Sequence, residues 1–154
     1  MNCEATRLLP ATPDQVWQVV ADLSRLKDWL PVEAEISLPY GSLAAVGVII
    51  GIKRPSQMGL IELEQQIGLC EAPKLISWRH VKELLGGKPI TQIKDFATTI
   101  SIAPEAAGKT RVTVRSTWTP VGIMGTAASS MMKPRMQKEY EQALANIERL
   151  ATRA

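Results

Sequence analysis

Cysteine and histidine are scarce in this sequence. Its 154 residues include two cysteines, Cys3 and Cys70, and one histidine, His80. Neither cysteine belongs to a CxxC motif, and no His/Cys cluster has the spacing of metal ligands, so we expect no metal site and no cofactor. Because cytoplasmic proteins rarely keep disulfides, we expect both cysteines to be free thiols.

Long hydrophobic runs are missing as well. The longest apolar stretch, LAAVGVII, is far shorter than the ~20 residues that cross a bilayer. The opening MNCEATRLLPATPD has neither the basic start nor the apolar run of a signal peptide. We therefore expect a cytoplasmic protein without stable membrane insertion.

No charge of one sign dominates. The chain has 18 basic and 15 acidic residues, which are interspersed and leave a net charge of +3. The stretch from Lys133 onwards mixes both signs, as a solvated helix face does, so we expect no nucleic-acid partner. The hydrophobic share of 45% is typical of a globular protein, and the length predicts one domain over residues 1–154.

The segment ATPDQVWQVVADLSRLKDWLP predicts two short helices after a first strand. Thr12 is a suitable N-cap that forms a capping box with Gln15, and apolar residues then recur with helical spacing. Pro31 ends the second helix. We expect Trp17 to lie in the core and Trp29 to be partly exposed, as a lip at the entrance of a cavity.

The middle of the chain alternates apolar and polar residues in successive segments, which predicts an antiparallel sheet with one covered face. The residues expected on that face are Ile61, Leu63, Gln65, Ile67, Leu69, Ile76, Trp78, His80, Phe96, Thr98, Ile100, Ile102, Val112, Val114, Ser116 and Trp118. By the same alternation, Glu62, Glu64, Arg79 and Arg115 point away from it.

A long helical pattern over residues 123–152 ends the chain. Its apolar stripe changes direction near Pro134, which predicts a helix bent or broken at that residue. The first stripe contains Met124, Met131 and Met132. The second stripe consists of Met136, Tyr140, Ala143, Leu144, Ile147 and Leu150.

This order of elements resembles the START/polyketide-cyclase superfamily, which includes the birch-pollen-allergen-like proteins. The resemblance rests on ATPDQVWQVVADLSRLKDWLP, EAPKLISWR and WTPVGIMGTAASSMM and covers essentially the whole chain. It implies an α+β helix-grip fold, in which a curved antiparallel sheet of about seven strands wraps around a long C-terminal helix. It also implies an apolar cavity between sheet and helix for lipids, sterols, polyketides or quinones.

The leading hypothesis is therefore a protein that binds or carries a small hydrophobic molecule in such a cavity, with its oligomeric state left open. The expected lining is Trp78, His80, Thr98, Ile100, Val114, Ser116, Trp118, Met124, Met131 and Met132. His80, Thr98 and Ser116 are its candidate polar handles. They do not form a catalytic set, so we assign no catalytic residue.

Two other functions remain open at this point. One is an enzyme of the polyketide cyclase/dehydratase or aromatase kind, in which the three polar handles would hold a folded substrate. The other is an interaction protein, whose groove takes a segment of a partner. An enzyme should show convergent titratable groups inside the cavity, whereas an interaction protein should show a collapsed cavity and an exposed apolar patch.

Overall fold

A computed structural model describes residues 1–153. It contains eight strands, three α-helices and one short 3₁₀ turn (Leu23–Arg25). The strands are β1 (Asn2–Leu9), β2 (Glu35–Ser37), β3 (Ile49–Ser56), β4 (Gly59–Glu71), β5 (Leu75–Leu85), β6 (Lys88–Pro89), β7 (Ile93–Ala106) and β8 (Lys109–Pro120). The helices are α1 (Pro13–Val20), α2 (Leu26–Trp29) and α3 (Gly122–Ala151).

One antiparallel sheet contains all the strands. Its order is β1-β8-β7-β5-β4-β3-β2, and the two-residue β6 pairs only with β5. The concave apolar face is partly covered by α3, which packs against β1, β8 and the two short helices. This is the helix-grip arrangement that the sequence predicts.

The capping box that begins α1 is present. The Thr12 hydroxyl accepts from the Gln15 N–H at 3.2 Å, and the Gln15 side chain accepts from the Thr12 N–H at 2.8 Å. The expectation that Trp29 is partly exposed was wrong, and Trp17 meets its expected core position only in part. Trp29 is buried, only 3% exposed, whereas Trp17 is half-buried at the margin of the core. Asn146 of α3 donates to the Trp29 carbonyl at 3.1 Å, and this contact holds α2 against the long helix.

Two β-bulges change which side chains face the helix. In β4 the register with β5 shifts at Gly68, so Leu69 turns outward and is 52% exposed. In β5 the register shifts at Val81, because Gln65 pairs with His80 and the next residue back, Glu64, pairs with Lys82. One extra residue reverses the alternation of all that follow. The sequence pattern therefore placed Leu69 on the wrong face. Glu83 lies on the inner face of the sheet.

The helix α3 is continuous from Gly122 to Ala151 and does not break at Pro134. A proline removes the hydrogen bond to the carbonyl four residues earlier. That carbonyl belongs to Ser130, an exposed residue, so water can replace the missing donor. Packing of the following turns against the sheet and α1 keeps the helix in one piece. The stripe from Met136 onwards is buried or half-buried, as predicted.

In the first half of α3 the prediction was wrong for Met124 and Met131, although Met132 is half-buried as expected. Met124 and Met131 are 70% and 82% exposed, while Gly125 and Ser129 face the sheet. Ser129 accepts a hydrogen bond from the Trp118 indole N–H at 2.9 Å. At Gly125 the helix backbone approaches the carbonyl of Gln92 so closely that a Cβ would collide with its oxygen. Small residues allow this close packing, so Met124 and Met131 stay outside.

The close approach at Gly125 predicts that Gly125→Ala destabilises the protein. Alanine at a helical position normally stabilises by about 1 kcal/mol relative to glycine. Here the new methyl meets backbone atoms, which cannot move aside as a flexible side chain can, so we expect a net loss of about 1–3 kcal/mol. The matched control is Gly68→Ala, where an added Cβ meets no atom within 4 Å. Urea unfolding measures both, and an unchanged or higher midpoint for Gly125→Ala would contradict the packing.

Candidate functional site

A cavity of about 310 Å³ lies between the concave face of the sheet and helix α3. Its walls come from α2 and the segment after it, from β3, β4, β5, β7 and β8, and from one side of α3. The volume lies at the lower end of the range for small-molecule sites. Its aliphatic and aromatic lining includes Leu26, Ile50, Ile52, Leu63, Ile67, Ile76, Phe96 and Ala143.

Six of the predicted lining residues and the predicted entrance residue line this cavity. They are Trp78, His80, Thr98, Ile100, Val114, Met132 and Trp29. Trp29 contributes a buried wall rather than an exposed lip, because α2 packs against α3 and brings the indole inside.

Four predicted residues do not line the cavity. Met124 and Met131 lie on the exposed side of α3. Trp118 is 3% exposed and packs with Cys3 and Met136 in a separate core cluster. Ser116 is fully buried. Its hydroxyl lies between those of Thr98 and Tyr140 and is hydrogen-bonded to both. It therefore contacts the cavity only through these two neighbours.

Three hydroxyl groups form a hydrogen-bonded cluster at the cavity wall. Thr98 Oγ1 and Ser116 Oγ are 2.6 Å apart, and Ser116 is also hydrogen-bonded to the phenol of Tyr140. Burial raises the pKa of Tyr140 above its usual value, although the nearby hydroxyls of Ser116 and Thr98 act in the opposite direction. Tyr140 is therefore a neutral phenol at physiological pH, able to donate a hydrogen bond.

A second polar group consists of Gln65, His80 and Glu83. The Gln65 amide nitrogen lies 3.0 Å from His80 Nε2, so in this orientation the amide donates to Nε2 and leaves Nδ1 as the donor of the ring. Nδ1 faces Glu83 Oε1 at 3.6 Å. Phe96 stacks on the imidazole with a centroid distance of 4.3 Å, which fixes the ring plane. The cavity thus contains a histidine positioned beside a carboxylate.

Charged residues of β3 and α3 form part of the lining. Arg54 Nη2 of β3 and Glu139 Oε1 of α3 are 4.0 Å apart, and both side chains are about a quarter exposed (27% and 24%). Arg135, one turn earlier on α3, also lines the cavity and is exposed. Because these side chains contact solvent, the cavity wall between β3 and α3 reaches the protein surface.

Sequence reasoning missed Tyr140, Glu83, Arg54, Arg135 and Glu139 as site residues. Tyr140 carried a usable signal, since a phenol within an apolar helical stripe needs a buried hydrogen-bond partner. Glu83 carried none, because the bulge at Val81 has no marker such as glycine. The alternation placed Arg79 and Arg115 outside the cavity, but it did not predict that Arg54 and Arg135 line it.

Within residues 1–153, no three His, Cys, Asp or Glu side chains come together as metal ligands. Over the same residues, no helix is both long and apolar enough to cross a bilayer. Cys3 and Cys70 are unpaired, and burial raises the pKa of both thiols.

The raised pKa of Tyr140 predicts how stability changes at high pH. As the pH rises above about 10, the unfolded chain releases the phenolic proton while the folded protein keeps it, so the free energy of unfolding falls. This contribution has a slope of at most about 1.4 kcal/mol per pH unit, and Tyr140→Phe should lack it. Urea unfolding between pH 9 and 11 measures the slope. The control Tyr40→Phe changes an exposed ring and should keep the wild-type slope; the same slope in Tyr140→Phe would contradict the assignment.

Comparisons with known proteins agree with this architecture. The model of the family described as polyketide cyclase/dehydrase and lipid transport matches residues 2–152. No curated protein matches the sequence.

Several solved structures share the fold at low sequence identity. TTHA0849 from Thermus thermophilus is 18% identical with a TM-score of 0.74, and the match covers 98% of this chain and 97% of that one. A protein from Arthrobacter aurescens is 17% identical with a TM-score of 0.72, covering 98% and 86%. Mll3558 from Rhizobium loti is 19% identical with a TM-score of 0.70, covering 95% and 96%. Because the family model matches residues 2–152, which is nearly the whole chain, the chain belongs to the polyketide cyclase/dehydrase and lipid transport family.

Proposed function

We propose that the protein binds or carries a small hydrophobic molecule in the cavity between the sheet and α3. The observation that carries the proposal is the partly enclosed, mostly apolar space of about 310 Å³. Transfer of apolar ligand surface from water into this space contributes about 25 cal/mol per Å². The hydroxyl cluster and the Gln65–His80–Glu83 group supply the few polar contacts that orient a ligand.

The open cavity favours a small molecule over a partner's peptide segment. An interaction protein was expected to have a collapsed cavity, whereas here Leu63, Ile76 and Ile100 surround empty space. Exposed apolar side chains do occur on α3, at Ile123, Met124 and Met131. They lie on the outer side of the helix and are not part of the cavity lining.

An enzyme of the cyclase/dehydratase kind is a second candidate, and the His80–Glu83 pair is what favours it. A histidine beside a carboxylate inside an apolar cavity is a usual arrangement for proton transfer. The family description also includes cyclase and dehydrase activity. In this reading the pair would move a proton on a substrate held by the hydroxyl cluster.

Filling the cavity should abolish binding without unfolding the protein. Leu63 lines the cavity from β4 and is half-buried, so Leu63→Trp places the larger ring in empty space. We expect at least a tenfold loss of affinity for acetylnaphthalene in isothermal titration, with stability changed by less than about 1 kcal/mol. The matched control is Leu69→Trp on the outward side of the same strand, which should bind normally. Equal binding by both variants would contradict the cavity as the binding site.

The carrier and enzyme hypotheses predict different masses for the molecule that co-purifies with a variant lacking the Glu83 carboxylate. If the protein only carries its ligand, native mass spectrometry should find the same co-purifying mass in wild type and in Glu83→Gln, as we expect. If Glu83 takes part in a dehydration, the variant should retain a molecule heavier by one water. The control is Glu64→Gln, which changes a carboxylate outside the cavity lining. A mass difference confined to Glu83→Gln would overturn the carrier proposal in favour of the enzyme.

A further inference from the structure

The hydroxyl cluster at the cavity wall has one more proton than its internal hydrogen bonds use. Thr98, Ser116 and Tyr140 each carry one hydroxyl proton, and two hydrogen bonds join the three groups. When both bonds run in the same direction, the remaining proton lies at an end of the chain. Both ends, Thr98 and Tyr140, line the cavity, whereas the central Ser116 does not. In either of these two arrangements the free donor is available to a ligand.

The surroundings of this donor are apolar. Thr98 pairs with Trp78 across the sheet, and the neighbouring pair on β7 and β8 is Ile100 and Val114. All of these side chains line the cavity. A hydrogen bond formed here is shielded from water, and a buried donor without an acceptor is unfavourable. The site thus favours a ligand that offers an acceptor at this point over a pure hydrocarbon.

The same surroundings disfavour an anionic acceptor. Among the described residues that line the cavity, the cations are Arg54 and Arg135, and both contact solvent. Burial raises the pKa of Tyr140, so the phenol stays neutral. A carboxylate placed at the cluster would be desolvated without a neighbouring cation, which is costly.

We propose that the Thr98–Ser116–Tyr140 cluster is a binding subsite for a neutral carbonyl-type oxygen, such as that of a ketone, ester or quinone, on an otherwise apolar ligand. This inference rests on the proposed function and narrows its ligand class. The ligand's acceptor oxygen lies at Thr98 or Tyr140, and its apolar body fills the space beside Ile100, Val114 and Trp78. An acidic ligand would instead direct its carboxylate towards Arg54 and Arg135.

The test compares three naphthalenes of similar shape that carry an acetyl, an ethyl or a carboxylate group at the same ring position. Their affinities for wild type, Tyr140→Phe and Thr98→Val are measured by isothermal titration. The quantity compared is the affinity ratio of acetylnaphthalene to ethylnaphthalene, because this ratio cancels general effects of a substitution on the cavity. We expect the ratio to fall about three- to tenfold in at least one variant, as the loss of one hydrogen bond predicts. The variant that shows the fall identifies the hydroxyl with the free proton.

Naphthoate provides an independent check. Its affinity should be insensitive to Tyr140→Phe and Thr98→Val, because a carboxylate is not expected at the cluster. The matched controls are Tyr40→Phe and Thr117→Val, which remove the same groups from exposed positions and should leave every ratio unchanged.

The outcomes separate this inference from the proposed function. If acetylnaphthalene and ethylnaphthalene bind but neither Tyr140→Phe nor Thr98→Val changes their ratio, the subsite is refuted while the cavity stands as a binding site. If naphthoate alone loses affinity in these variants, the cluster binds anions and the neutral-ligand inference is wrong. If none of the three compounds binds wild type, the proposed function itself fails.

Discussion

The constraint on which the structure depends is that one helix must cover an apolar sheet face wider than itself. Helix α3 packs against β1, β8, α1 and α2. The sheet then curves away through β7, β5, β4 and β3. Side chains are too short to bridge the widening gap, so space remains between α3 and these central strands. The cavity is thus a direct consequence of sheet curvature combined with a single covering helix.

The position of α3 is set near both of its ends by different chemistry. Near its start, Gly125 lies directly against the backbone of Gln92, and Ser129 accepts from the Trp118 indole. Towards its end, Leu144 and Ile147 are buried in the main core. Tyr140 lies between these two regions and carries its phenol to the hydroxyl cluster. Because packing fixes both regions, the fold itself holds the phenol in between at the hydroxyl cluster.

The sequence predicted the fold well and the site only partly, for a physical reason. Helix caps and strand alternation are local signals, so the element order and inward residues such as Thr98, Ile100 and Val114 could be placed. The bulge at Val81 reverses which side chains of β5 face inward, and no local signal marks it, so Glu83 was missed. The direction of the first half of α3 depends on which face fits closest to the sheet, so hydrophobicity placed Met124 and Met131 on the wrong side.

The polar groups of the cavity are satisfied mainly by one another. Ser116 bonds to Thr98 and Tyr140, and the Gln65 amide bonds to His80. Polar groups buried without partners would destabilise the fold, so internal pairing lets the protein keep them beside an apolar cavity. Each cluster still presents an incompletely used group, a third hydroxyl proton in one and the long His80–Glu83 contact of 3.6 Å in the other. In the proposed function a ligand's polar atoms would gain at these two points, because the protein gives up no strong hydrogen bond to accommodate them.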